Sequence, residues 1–258
     1  SIVGKDNDTL IAIENITGSA AADNLSGNSE VNTLLGNGGT DVLDGEAGND
    51  YIDGGADDDQ IIGGTGNDSL YGNTGNDTFI ASLADGNDTI DGGTGNDVID
   101  GGDNIDIVDY SNATGPLDVT LDANGDVVVN TVGTGTDTLT NMEGFFGTSV
   151  GDSITGNDSI NVFEGRDGND ILTGNGGNDS LYGGLGDDTI SGGLGDDTID
   201  GGLNANGDWV DYSASSSAIN INLRLQDDQA TGEGTDQISN IEHIKLENAQ
   251  DNIVQGNT

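Results

Sequence analysis

The residues of this chain best suited to chemistry are its aspartates, because they return at a fixed interval. Asp41, Asp50, Asp59, Asp68 and Asp77 lie nine apart, and stepping back by nines from Asp41 meets Asn32 and Asp23. After a two-residue insertion, Ala81-Ser82, the interval resumes at Asp88, Asp97 and Asp106. A second series runs through Asp152, Asn161, Asp170, Asp179, Asp188 and Asp197 and, past another two-residue insertion, reaches Asp208. Carboxylates at this spacing, each preceded by a glycine-rich stretch, offer oxygen ligands. Thiols are absent, since the chain has no cysteine, and His243 is the only histidine. Such a donor set suits a hard divalent cation rather than zinc or copper. Carboxylate pairs can also serve acid–base or glycosidase chemistry, but a pair repeated at every turn is a scaffold pattern.

The aspartates must be held by a repeating element. From Gly36 to Ile80 each nonapeptide opens with glycine, carries Asp at its sixth place and an apolar residue at its eighth. The phase fills 18–109 with ten units and 147–211 with seven. Over these 17 units the eighth place is always apolar, and the sixth is Asp in 15 and Asn in two. A turn preference alone would accept Asn or Ser there as readily as Asp. Glycine at the fourth place fails mainly at the ends of each block: Ala21, Glu30 and Asn104 in the first, Val150, Ser159 and Asn206 in the second. Asp57 is the one internal exception. Terminal units that depart from consensus are the expected caps of a stacked array.

One unit, Gly63-Gly-Thr-Gly-Asn-Asp-Ser-Leu-Tyr71, sets out the geometry. Ser69-Leu70-Tyr71 alternates out, in, out, as a short strand does, and Gly63 to Asp68 is a turn. Two units make a coil with a strand on each side. Stacked coils then pair their strands in parallel, about 4.8 Å apart. The fold class that follows is all-β, a parallel β-roll or β-solenoid, in two stacked-turn blocks joined by hairpin connectors. Ordering nine residues costs about 9–18 kcal/mol of backbone entropy. One buried Leu or Ile returns roughly 1.5–3 kcal/mol, and each ladder hydrogen bond adds about 1 kcal/mol net. The apolar column alone does not hold the coil, and bare stacked carboxylates would repel. A cation between turns, bound by carboxylates and turn carbonyls, resolves both problems. Calcium accepts six to eight such oxygens, whereas magnesium demands a tighter octahedron.

Composition agrees. The formal charge is −44, from 48 acidic against four basic residues. That excludes nucleic-acid binding through phosphate contacts and predicts repulsion from anionic membranes. No apolar run approaches membrane-spanning length, so no membrane insertion is expected, and no disulfide staples the fold. Ser1-Ile-Val-Gly-Lys5 lacks the basic start and apolar stretch of a signal peptide. The sequence is therefore expected to be a piece of a longer protein whose export signal lies elsewhere.

The nonapeptide pattern resembles the hemolysin-type, or RTX, calcium-binding repeats of proteins exported by Gram-negative type I secretion. The resemblance implies a right-handed roll with several calcium ions, each lying between turns stacked one coil apart. Carried onto this sequence, the pairs in the first block are Asp41 with Asp59, Asp50 with Asp68, Asp59 with Asp77, Asp68 with Asp88, Asp77 with Asp97 and Asp88 with Asp106. In the second they are Asp152 with Asp170, Asp170 with Asp188, Asp179 with Asp197 and Asp188 with Asp208. Turns at Asp106, Asp152 and Asp208 lack the fourth glycine, and sites at Asn32 and Asn161 are expected to be weak or empty. The implied partners are calcium ions and the type I secretion machinery, and the implied location is secreted, extracellular or on the cell surface. The chain is expected to be a monomer.

Outside the blocks, Asp8 to Thr17, Asp137 to Phe146 and Asp236 to Lys245 share an Asp, an apolar-Glu step and a final apolar patch. They read as lead-in segments, which divides the chain into a lead-in (1–17), a roll (18–109), a connector (110–146), a second roll (147–211) and a connector opening a further block (212–258). Leu117 to Leu121, then Asn124-Gly125, then Val127 to Val129 predict a hairpin. The alternation Ala218 to Leu225 repeats the theme. The tail puts Asp251 and Ile253 back in phase. His243 has no catalytic partner set, and Trp209 is expected to pack under the connector. The tyrosines are scattered without a stacking platform. No catalytic residue is identified, so the chain reads as a calcium-binding module of a larger adhesin-like RTX protein. Two other readings stand beside it. One is a non-catalytic module of an exported protease, lipase or polysaccharide epimerase. The other is an ice-binding roll, although Thr65, Thr74 and Thr94 are interrupted by Gly38, Ala47 and Ala56.

Overall fold

A computed structural model describes residues 13–80, 86–223, 228–230, 234–246 and 252–255. Asp8, Ala81-Ser82, Leu225 and Asp251, used above, lie outside them. Every regular element among the described residues is a strand. The chain forms two compact units, Ser1–Asp109 with Asp126–Met142, and Tyr110–Gly125 with Glu143–Thr258.

In the first unit one sheet holds Asn15–Thr17, Thr33–Gly38, Tyr51–Ala56, Ser69–Thr74, Thr89–Asp91 and Ile107–Asp109 in that order. The other holds Asn24–Asn28, Val42–Glu46, Gln60–Ile62, Thr78–Phe79, Val98–Asp100, Gly135–Thr140 and Val127–Thr131. Consecutive nonapeptides alternate between the sheets, so two of them make one coil. Parallel register sets eighth place on eighth place. On one sheet Leu34 pairs Ile52, which pairs Leu70, which pairs Ile90. On the other the series is Leu43, Ile61, Phe79, Ile99 and Leu139. None of these side chains is more than 4% exposed, so the core is two apolar columns.

The second unit repeats the plan. One sheet runs Gly144–Phe146, Val162–Asp167, Ser180–Leu185, Thr198–Leu203, Thr235–Ser239 and Asp228–Ala230. The facing sheet runs Asp118–Thr120, Ser153–Thr155, Ile171–Gly176, Thr189–Leu194, Trp209–Asp211 and His243–Lys245. Phe145, Phe163, Leu181 and Ile199 fill one column, and Val119, Ile154, Leu172, Ile190 and Val210 the other.

The connector hairpins form one strand later than the sequence predicts. Asn124-Gly125 does turn, with Gly125 N–H donating to the Asp122 carbonyl at 3.1 Å. The strands on either side of it do not pair. Asp118–Thr120 lies parallel to Ser153–Thr155, which buries Val119 beside Ile154. Val127–Thr131 instead folds back on Gly135–Thr140 in antiparallel register. In the second connector the antiparallel pair is Asp228–Ala230 with Thr235–Ser239. The reason is burial: the alternating residues Leu117, Val119 and Leu121 all have an apolar column to cover.

Candidate metal sites

The turns place the sixth-place side chains inside, not at the rim. Asp41, Asp50, Asp59, Asp68, Asp77, Asp88, Asp97 and Asp106 are all 5% exposed or less, as are Asp152, Asp170, Asp179, Asp188, Asp197 and Asp208. They stack as the coil spacing predicts. In the first unit the Asp41 N–H donates to Asp59 Oδ1 at 2.8 Å, Asp59 to Asp77 at 2.8 Å and Asp77 to Asp97 at 2.8 Å. The parallel column runs Asp50 to Asp68 at 2.7 Å, Asp68 to Asp88 at 2.9 Å and Asp88 to Asp106 at 2.7 Å. In the second unit Asp152 donates to Asp170, Asp170 to Asp188 and Asp188 to Asp208, each at 2.8 Å, and Asp179 donates to Asp197 at 2.9 Å. Every pair named from the sequence is therefore adjacent, including those that cross the two-residue insertions.

One carboxylate oxygen is thus used by the backbone of the preceding coil. The other is buried: Oδ2 of Asp41, Asp50, Asp59, Asp77, Asp97, Asp170, Asp179 and Asp188 has no hydrogen-bond partner among the described residues. A buried ionised carboxylate left this way costs several kcal/mol. Burial pushes the carboxyls of Asp59, Asp97, Asp170 and Asp179 up to about 7, and those of Asp77 and Asp188 up to about 6.

What faces these oxygens is set by the first-place glycines. A Cβ on Gly54 would meet Asp59 Oδ2 at 2.5 Å, and one on Gly63 would meet Asp68 Oδ2 at 2.6 Å. At Gly36, Gly45 and Gly72 the same space is bounded by the carboxylate of the unit's own aspartate and the carbonyl of Gly54, Gly63 or Gly92 one coil on. Those three turns, and the turns of Gly165, Gly174 and Gly183 in the second unit, therefore present a carboxylate oxygen and a carbonyl oxygen to one cradle. Among the described residues no three His, Cys, Asp or Glu side chains converge, so an ion there must take much of its shell from the backbone. That fits calcium, which tolerates carbonyl-rich shells, and argues against transition metals.

At the ends of the columns the same place works differently. Asp23 Oδ2 accepts the Ser19 N–H at 2.5 Å, and Asn32 Oδ1 accepts the Asn28 N–H at 2.6 Å. Asp152 accepts the Thr148 N–H at 2.7 Å and the Thr148 hydroxyl at 2.9 Å, while Asn161 accepts the Asn157 N–H at 2.9 Å. Asn37 and Asn175 donate to the carbonyls of Gly18 and Gly156. At the far end Asp208 Oδ2 accepts Asn204 Nδ2 at 2.9 Å, and Glu242 takes the Asp208 N–H at 3.0 Å. These ends are closed by the protein's own donors.

Sequence reading missed two features. Asp137 and Asp236 sit in the ladders: Asp97 N–H donates to Asp137 at 3.0 Å and Asp197 N–H to Asp236 at 3.2 Å. Their signal is a Gly-x-Gly-Thr-Asp-x-apolar run out of phase with the blocks, Gly133 to Leu139 and Gly232 to Ile238. The second feature is an outer ladder at the fifth place. Asn67 N–H donates to Asn49 Oδ1, Asn87 to Asn67, Asn76 to Asp58 and Asn96 to Asn76, at 2.7–3.1 Å. Its donors point back along the chain, opposite to those of the aspartate ladder. One smaller point differs from expectation: Tyr51 and Tyr71 touch, with ring centroids 5.1 Å apart. Trp209 packs on His243 of the connector at 4.6 Å, in line with the expected packing under that segment.

Residues 17–52, 53–83, 84–110, 146–181 and 173–207 match the family model of the RTX calcium-binding nonapeptide repeat. Together they make up more than half of the chain, which belongs to this family, and its repeats bind several calcium ions. A comparison with curated protein sequences gave no match. Among solved structures the chain is similar to the crystal structure of the extracellular lipase LipA from Serratia marcescens, at 20% identity and a TM-score of 0.22. That similarity covers 76% of this chain and 38% of the lipase, so the chain spans well under half of that protein's length.

Proposed function

We propose that this chain is a module that folds when calcium binds after secretion, as a structural part of a larger extracellular or cell-surface protein of a Gram-negative bacterium. The observation that carries this reading is the row of buried carboxylate oxygens without a protein partner among the described residues, those of Asp41, Asp50, Asp77, Asp170, Asp179 and Asp188 beside a turn carbonyl. Without a cation those groups oppose the fold, and with one they join successive coils. The proposed ligands are Asp41, Asp50, Asp59, Asp68, Asp77, Asp88, Asp97 and Asp106, with Asp170, Asp179, Asp188 and Asp197 in the second unit. Asp152 and Asp208 are proposed to close columns rather than to hold ions, because both of their oxygens already accept hydrogen bonds.

Extracellular-type sites have dissociation constants of about 0.1–1 mM. Calcium tenfold above that value contributes about 1.4 kcal/mol per site by linkage, so several sites together rival the roughly 5–15 kcal/mol stability of a whole domain. In cytosol poor in free calcium the chain stays unfolded and able to thread the type I machinery. Far-ultraviolet circular dichroism during a calcium titration tests this. The β signal should grow with millimolar calcium and not with equal magnesium. A chain equally folded in chelator sinks the reading.

A further inference from the structure

The column that starts at Asp23 ends in a turn that belongs to no repeat. Residues 132–140 carry Val132 where a repeat has its opening glycine, and no family match covers them. In the fold they nevertheless act as one more coil. Val98–Asp100 pairs in parallel with Thr138–Thr140, and Leu139 continues the apolar column above Ile99. Gly95 N–H donates to the Thr134 carbonyl at 2.7 Å, Thr136 N–H to Asn96 Oδ1 at 2.9 Å, and Asp97 N–H to Asp137 Oδ1 at 3.0 Å.

Below this turn, Asp97 is 1% exposed and its Oδ2 has no hydrogen-bond partner among the described residues. In the repeats that oxygen lies beside the unit's first glycine, and at Asp41 it also neighbours the Gly54 carbonyl of the coil that follows. A Cβ on Gly92 would meet Asp97 Oδ2 at 2.5 Å, as one on Gly54 would meet Asp59 Oδ2, and the coil that follows Asp97 is 132–140. Asp137 is itself only 2% exposed, so two carboxyl groups are buried one coil apart. We propose that Asp97 and Asp137 hold a divalent cation of the calcium type, at a site outside the nonapeptide arrays. The ion would tie the connector hairpin to the roll. This rests on the calcium reading of the repeats but adds a residue and a segment to it. In the second unit Asp197 N–H likewise donates to Asp236 Oδ1, but the Tyr212 hydroxyl donates to Asp236 Oδ2 at 2.6 Å, so both oxygens are taken and no ion is proposed there.

The test counts ions on the whole chain by native mass spectrometry in calcium. Asp137→Asn keeps an oxygen for the Asp97 N–H but removes the charge. It should bind one ion fewer than the natural chain at a calcium level that saturates the latter, whereas Asp122→Asn, in the exposed connector turn, should bind the full number. An unchanged count in a folded Asp137→Asn chain overturns the site. Should that variant fail to fold, anomalous diffraction from crystals of the natural chain grown in calcium decides. A peak within ligand distance of both Asp97 and Asp137 supports the site, and its absence while peaks stand at the repeat turns removes it. Absence of calcium everywhere would instead refute the reading of the repeats.

Discussion

Asp59 and Asp152 hold the same place in the nonapeptide and are equally inaccessible. Asp59 accepts one backbone N–H and leaves its second oxygen facing a glycine cradle. Asp152 turns both oxygens onto Thr148 and backbone N–H groups. The difference lies in the neighbours, not in the residue. An interior coil has a turn on each side, and its geometry leaves one oxygen for an ion. The coil of Asp152 is preceded by the connector strand Asp118–Thr120 and not by a repeat, and its carboxylate closes its own turn on Thr148. The array is thus expected to depend on calcium in its middle and on its own polar groups at its ends.

The strongest way to break this comparison is to remove calcium. Chelation should unfold the interior coils of both units, with loss of most of the β signal. Hydrogen exchange should then report which amides keep protection, and the prediction is that the Ser19, Asn28, Thr148 and Asn157 N–H groups lose it last within their units. Uniform loss would erase the distinction between middle and end.

Next in size is Asp59→Ala. It orphans the Asp41 N–H and would remove a ligand from each of the two proposed sites that share the residue. A loss of roughly 2–4 kcal/mol in calcium is expected, read as a higher calcium midpoint. Asp152→Asn keeps an acceptor for Thr148 and should cost about 1 kcal/mol or less, with no change in the number of ions bound.

Acidity acts in opposite directions on the two forms. The buried carboxyls of Asp59, Asp97, Asp170 and Asp179 stand at about 7 in the folded chain, well above the value of about 3.9 for an unfolded aspartate. The folded chain therefore binds protons more tightly than the unfolded one. In chelator, stability should rise as pH falls from about 8 toward 5 and be lost as pH climbs through about 7. In calcium the same protons compete with the ion, so the calcium midpoint should increase on acidification. Dichroism in chelator that is flat across this range would count against buried, unpartnered carboxyls.

The smallest effect belongs to the outer ladder. Asn67→Ala removes the acceptor for the Asn87 N–H and should cost about 0.5 kcal/mol, since the site is exposed. Thermal melts should give the same loss at low and saturating calcium, because no ion is bound there.

The sixth and eighth places were legible in the sequence because each is fixed by a local rule repeated in phase. That sufficed for strands, coil pairing and the carboxylate stack, even across Ala81-Ser82. Three things were less accessible. The coil at 132–140 opens with Val132 and follows a connector, so counting in nines passes over it, although Gly133, Gly135, Asp137 and Leu139 keep the spacing. The hairpin partner of Val127–Thr131 was misplaced because Leu117, Val119 and Leu121 alternate as well for a parallel pairing as for an antiparallel one. The different task of Asp152 depends on what lies one coil away, which no local pattern records.

The two ladders of opposite direction have a consequence for how such a chain can change its length. Each coil gives an N–H forward at Asp and backward at Asn or Asp, so adjoining coils interlock like a tongue and groove. Excising a pair of nonapeptides would restore both seams and leave every later strand on its own sheet. Excising a single one would send every following strand to the opposite face. The interchangeable brick is therefore the full circuit of two nonapeptides, even though the smallest motif in the text of the sequence is half as long.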